Sequence, residues 1–248
     1  GLGLVGVGLA GRGDWGAAVG CLVLAALVVG GVGVLERGVE RPLLRWRVVG
    51  RRPLVRSAVC AAALNGPYWG LLFLLTFQLQ GQPGWSAWRT AVALLPAALP
   101  LALTAGYSGL VGRFGAGRLI LVGAFPPLAG YVLYLSSGPD PSYVRHVLPT
   151  LLLIGAGFVL QFTALHVQAM SGVPEEDRAM TGAAYQTAVQ LGGAVTLAAM
   201  VALLPAGGPS DGAPGTGAAL LFITAVSAVG LLAAASGNHR KDGHGRLT

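Results

Sequence analysis

Charge is scarce in this sequence. Of 248 residues, only 10% are Asp, Glu, Lys or Arg, against roughly 25% in an average soluble domain. A soluble fold needs a charged surface, and 16 basic and 9 acidic side chains are too few to cover one of this size. The shortage excludes a disordered chain, a nucleic-acid-binding domain and an ordinary soluble enzyme. Cysteine is also scarce. Cys21 and Cys60 both lie inside apolar runs and read as small embedded residues, not as a disulfide or a metal site. Lysine is nearly absent: Lys241 stands against fifteen arginines. With the abundance of Gly, Ala and Val, that bias points to a high-GC bacterial genome.

What is present is apolar. The hydrophobic fraction is 54%, another 40 residues are Gly, and mean hydropathy is +0.69. Seven stretches are long enough to cross about 30 Å of hydrocarbon: roughly 15–35, 57–79, 90–111, 119–137, 147–169, 179–204 and 217–236. Each is expected to be a helix, because a helix satisfies its own backbone in lipid. A β-barrel would need period-two alternation, and these runs lack it. The fold class expected is therefore an all-α integral membrane protein with about seven transmembrane helices and the tail of an eighth. The expected divisions are a truncated helix and external loop at 1–14, a span at 15–35 and a basic cytoplasmic linker at 36–56. A six-helix bundle at 57–236 and a cytoplasmic tail at 237–248 follow.

The connections sort by charge. Arg37, Arg41, Arg45, Arg47, Arg51, Arg52 and Arg56 share one loop, Arg113 and Arg118 a second and Arg178 a third, while Arg240, Lys241 and Arg246 lie in the tail. These are alternate connections and carry 13 of the 16 basic residues. The opposite side has Arg12, Arg89 and Arg145. The positive-inside rule then predicts a multi-pass protein of the bacterial plasma membrane with a cytoplasmic C-terminus. It also accounts for the net charge of +7 without a nucleic-acid partner.

The spans hold no acid. Asp14, Glu36, Glu40, Asp140, Glu175, Glu176, Asp177, Asp211 and Asp242 all fall in expected loops. Ionisable groups within the membrane are the usual proton carriers and ion ligands, so a proton-coupling carboxylate is expected outside these residues. The polar groups left inside are neutral: Asn65, Gln78, Gln161, His166, Gln168, Gln186, Thr187 and Gln190. An unpaired amide in lipid costs on the order of 2 kcal/mol, so each must face a partner or a wet cavity. Gln186 and Gln190 are four apart and share a helix face. They read either as interhelical glue or as the wall of a substrate cavity. No second His, Cys or carboxylate lies near His166 to suggest a metal site, and no cofactor is expected.

Several motifs carry more. Gly106-Tyr107-Ser108-Gly109 has the G-x-S-G form of rhomboid intramembrane proteases, with His166 as a conceivable base. Gly112-Arg113-Phe114-Gly115-Ala116-Gly117-Arg118 is a short charged turn between two spans. It resembles the end of the cytoplasmic loop motif G-x-L-A-D-R-x-G-R-R of major facilitator transporters, with Gly112 at the aspartate position. Glu36–Arg56 (ERGVERPLLRWRVVGRRPLVR) resembles the linker of the fourteen-helix drug:proton antiporters. Asn65–Gln80, Ser86–Pro96 and Gly172–Ala194 (GVPEEDRAMTGAAYQTAVQLGGA) resemble three further segments of that family in order and spacing. Gln186 stands where many relatives have Asn, and Val189 where many have Arg.

The resemblance implies the C-terminal half of a proton-driven drug or antibiotic exporter that works by alternating access. The acidic residues and the family's antiporter signature would then lie in an N-terminal half bundle, the implied partner. The other partners implied are the bilayer and a small amphiphilic substrate, with the proton gradient as driving force and no covalent chemistry. Asn65, Gln161, His166, Gln186 and Gln190 are the expected cavity wall, and Arg113, Gly115, Gly117 and Arg118 the gating loop. The alternatives are a rhomboid-type serine protease built on Ser108 and His166, and a non-transporting half-length membrane partner protein.

Overall fold

The computed structural model describes residues 50–81, 84–102, 107–138, 141–204 and 214–236. The segments expected at 1–14, 15–35 and 237–248, and the linker up to residue 49, lie outside the described residues. Among those described, the regular structure is entirely helical.

Helix α1 runs Arg52–Gly81. After a turn at Gly84, α2 (Ala87–Leu94) begins where Ser86 caps it, its hydroxyl accepting from the Arg89 N–H. A 3-10 turn (Leu95–Ala97) and the short α3 (Leu99–Ala102) follow, and then α4 (Tyr107–Phe114). Helix α5 spans Ala116–Leu135, a π turn covers Tyr143–Val147, and α6 runs Leu148–Met170. Helices α7 (Glu175–Leu203) and α8 (Pro214–Ala235) are the last of the described elements.

Five of these helical segments are long and apolar enough to cross a membrane: Arg52–Gly81, Ala116–Leu135, Tyr143–Met170, Glu175–Leu203 and Thr216–Ala235. Of the stretch expected as one span at 90–111, residues 103–106 lie outside the described residues, and the part before them is interrupted by the 3-10 turn at Leu95–Ala97. The reason is local. Pro96 and Pro100 carry no N–H and clash with a preceding turn, so the helix tightens to 3-10 geometry at Pro96 and restarts at Leu99. Pro67, Pro126 and Pro127 are accommodated inside α1 and α5.

Helix α1 is the hub. It packs against α7, α8 and α6, while α5 packs mainly against α6. Small residues set these crossings, as in membrane bundles generally. A methyl group added at Gly66 would overlap Thr196 of α7, and one at Gly192 would overlap Ala62 of α1. One at Gly157 of α6 would overlap Pro127 of α5, and one at Gly155 would meet the Ala97 carbonyl 2.5 Å away.

The core forms two layers, one toward each end of the bundle. One contains Leu71, Leu74, Leu75, Tyr131, Ile154, Met200 and Ile223. The other contains Leu54, Cys60, Leu119, Leu165, Ala169, Tyr185 and Ala234. Beyond the second layer, arginines tie the helix ends together. Arg51 donates from Nη2 to the Gly172 carbonyl at 2.7 Å. Arg56 donates from Nε and Nη2 to the Ala233 and Ala234 carbonyls at 3.3 and 2.8 Å. Those carbonyls end α8, so the guanidinium both satisfies them and meets the negative pole of the helix.

Candidate functional site

Helix α7 is the least covered of the long helices. Only 22% of its most apolar window is buried, against 56% for α1. Its buried side is Thr181, Tyr185, Val189, Gly193, Thr196 and Met200. At 3.6 residues per turn, Gln186 and Gln190 fall on one flank of that side with Ala183 and Ala194, and all four are exposed. Thr187 is exposed beside them, and Leu191 and Val195 continue the uncovered face as an apolar strip. The helix thus presents two kinds of open surface. One is apolar and suits lipid. The other is amide and hydroxyl with only alanine between, which suits water or a polar ligand.

The seam between α7 and α1 borders that stripe. Asn65 is 5% exposed and spans it. Its Nδ2 donates to the Val189 carbonyl at 3.2 Å, and its Oδ1 accepts from Trp69 Nε1 at 3.1 Å. Asn65 therefore acts as a bracket: it pins α1 to α7 and orients the half-exposed Trp69 indole, which lies against Gly193. Sequence reasoning missed Trp69. The signal was the i, i+4 spacing of an amide and an indole on one helix.

His166 is exposed on α6 and meets α7 through Tyr185, with ring centroids 5.5 Å apart and planes at 73°. Tyr185 is fully buried, and its hydroxyl has no hydrogen-bond partner. It too was missed. The Ser108 side chain lies outside the described residues, and the recorded contact of His166 is the Tyr185 ring. Gln168 accepts a bond from Ser57 Oγ at 3.3 Å, joining α6 to the start of α1.

Gln161 does not join this group. It is 5% exposed and faces a small pocket between α1, α5, α6 and α8. The structure thus sets Asn65 and His166 against the packed side of α7, Gln186 and Gln190 on its exposed flank, and Gln161 inward.

The charged turn closes α4 onto α5. Gly115 has φ +79, a left-handed conformation that suits glycine, and it begins α5. Gly117 is half-buried; Arg113 and Arg118 are exposed. The Arg113 guanidinium lies 5.4 Å from the Phe114 ring centroid. This turn, Arg51, Arg52, Arg56 and Arg178 share one end of the bundle, and Arg89 and Arg145 occupy the other. At that other end Arg89 sits 4.1 Å over the Trp85 ring, and Tyr143 packs on Trp85 and donates to the Ala93 carbonyl at 2.8 Å. Among the described residues no group of three or more His, Cys, Asp or Glu could hold a metal.

The family model described as Major Facilitator Superfamily matches residues 2–197. The chain is 33% identical to the puromycin resistance protein pur8 of Streptomyces alboniger, over 71% of this chain and 36% of that protein. It is 28% identical to the tetracenomycin C resistance and export protein of Streptomyces glaucescens, over 75% and 35%. It is also 28% identical to the multidrug resistance protein Stp of Mycobacterium tuberculosis, over 77% and 34%. The chain spans about one third of the length of these curated relatives.

Proposed function

The chain belongs to the major facilitator superfamily, and on that premise we propose that it is the C-terminal half of a bacterial exporter of drugs or antibiotics. The observation that carries the reading is the uncovered stripe of Gln186, Thr187 and Gln190 within a helix apolar enough to span a membrane. Facing lipid, each amide would cost on the order of 2 kcal/mol. Facing a wet cavity shared with an opposing half bundle, it costs little and can bind a passing solute. Transport then follows from alternating access: two half bundles rock around a midplane site. The printed names of the relatives, resistance and export proteins, agree.

In this reading Asn65 and Trp69 shape one border of the cavity, His166 another, and Gln186 and Gln190 its floor. The substrate is a small amphiphile, held by indole, amide and imidazole groups without a charge pair. The drive is proton antiport, with the titrating carboxylates on the opposing half bundle. The arginine-rich end, where α8 finishes, is the cytoplasmic one, which puts the C-terminus inside the plasma membrane of a bacterium. The protein performs no covalent chemistry. The protease alternative keeps nothing in its favour beyond the G-x-S-G tetrapeptide.

The test is transport into energised everted vesicles carrying the product of the longest reading frame that contains this chain. Expected is uptake of a lipophilic cationic dye that collapses when a protonophore is added. The double variant Gln186→Leu/Gln190→Leu should insert normally and lose most of that uptake. Well-inserted protein without gradient-dependent uptake of any amphiphile tried would overturn the exporter and leave the half-length partner protein standing.

A further inference from the structure

The pocket behind Gln161 has a chemistry that transport does not use. It is lined by Cys60 of α1, Ala124 and Tyr131 of α5, Gln161 of α6, and Ser227 and Gly230 of α8. Three of these side chains are polar and more than nine-tenths buried: Tyr131 is 1% exposed, Gln161 5% and Ser227 8%. None has a side-chain hydrogen-bond partner among the described residues, yet none of their polar atoms is walled off, unlike the Tyr185 hydroxyl. Their remaining surface opens into the pocket. Two glycines allow the geometry. Gly123 lets α5 lie against Gln161, where an added methyl would come within 2.9 Å of Cγ, and Gly230 lets α8 approach Ala63 of α1.

Buried polar groups in proteins are bonded to protein or to ordered water. Here the described residues supply no partner, and the pocket has room for about one water molecule. We propose that this pocket is a hydration site that holds an ordered water between the Tyr131 hydroxyl, the Gln161 amide and the Ser227 hydroxyl. A hydroxyl can donate or accept, and an amide can do both, so the three groups offer a water the two to four bonds it requires. The water links α8 to α5 and α6, which already share the bond from Thr150 Oγ1 to the Gly130 carbonyl at 3.2 Å, and gives the three helices a common polar joint. It also gives the Cys60 thiol a wet neighbour in an otherwise dry layer.

Radiolytic hydroxyl-radical labelling of the full-length protein in detergent or nanodiscs tests the site, because buried residues are labelled where a bound water supplies the radical. Cys60 and Tyr131 are expected to be modified. Tyr134 and Tyr185, 2% and 0% exposed and outside the pocket lining, are expected to stay unmodified. No labelling at Cys60 and Tyr131 means a dry pocket, and equal labelling of all four means general solvent leakage; either result overturns the proposal. A second measurement turns on a sign. In a wet site, Gln161→Leu strips the water of a partner, lowers the midpoint of thermal unfolding and suppresses labelling at Tyr131. In a dry site the same change removes an unpaired buried amide and raises the midpoint, which would sink the idea even if labelling were ambiguous.

Discussion

Gly66 and Thr196 share one small volume where α1 crosses α7. The threonine hydroxyl and methyl fill the space that a side chain at residue 66 would need. Gly66→Ala should therefore destabilise the bundle by about 1–3 kcal/mol through overpacking, visible as a lower unfolding midpoint in detergent. Adding Thr196→Gly to that variant removes the three atoms nearest the new methyl group. The double-mutant cycle should return a coupling of roughly 1 kcal/mol or more; additive losses would mean that the two residues do not meet. Asn65 is a residue-scale device of another kind. Asn65→Leu deletes its bonds to the Val189 carbonyl and from Trp69. At about 0.6 kcal/mol for a membrane hydrogen bond, the loss should be on the order of 1 kcal/mol. A shift of Trp69 emission would accompany it, because the indole loses its acceptor.

In the proposed exporter, helix α7 is the element on which transport turns, since its polar stripe is uncovered by the described residues while another side is packed. Single changes Gln186→Leu and Gln190→Leu should leave the unfolding midpoint nearly unchanged, because neither side chain has protein cover to lose. Each should lower uptake of a hydrogen-bonding substrate by up to about tenfold, the worth of one neutral hydrogen bond. A large loss of stability with transport intact would reverse that assignment. The helices themselves were legible in the sequence. Runs of apolar residues long enough to span lipid leave the backbone no other choice, and five of the six spans expected within the described region appear near their expected bounds. The broken stretch at 90–111 was less legible, because its hydropathy is continuous and only the geometry of Pro96 and Pro100 interrupts it. Least legible was which face each amide takes. In water, a helix advertises its buried side by being apolar there. In lipid, both sides are apolar, so Gln161, turned into the bundle, and Gln190, turned out of it, look alike from sequence alone.

The whole molecule is organised by its ends. Six of the eight described arginines gather at one end, and two of them, Arg51 and Arg56, tie α1 to the loop before α7 and to the end of α8. Arg56→Ala should cost about 1.5–3 kcal/mol, the usual range for a hydrogen bond to a charged group, and should loosen α8 first. Hydrogen exchange in the last turn of α8 would register it. The two ends should also be distinguishable by side. In a background without native cysteines, Arg113→Cys should react with an impermeant maleimide only from the cytoplasm, and Arg89→Cys only from outside; the reverse pattern would invert the topology. Charge made this division readable, since arginine is retained on one side during insertion. The ties themselves were not readable, because they join positions far apart along the chain.

The glycine contacts have a consequence for descent. Residues 66 and 196, 62 and 192, and 127 and 157 each divide a fixed volume between two helices. A lineage that gains bulk at one member of a pair must shed it at the other, in that order or the reverse, to keep the crossing closed. Among descendants of this gene, these positions should therefore change together, while the exposed Ala183 and Ala194 of α7, which share their space with no side chain among the described residues, should drift one at a time.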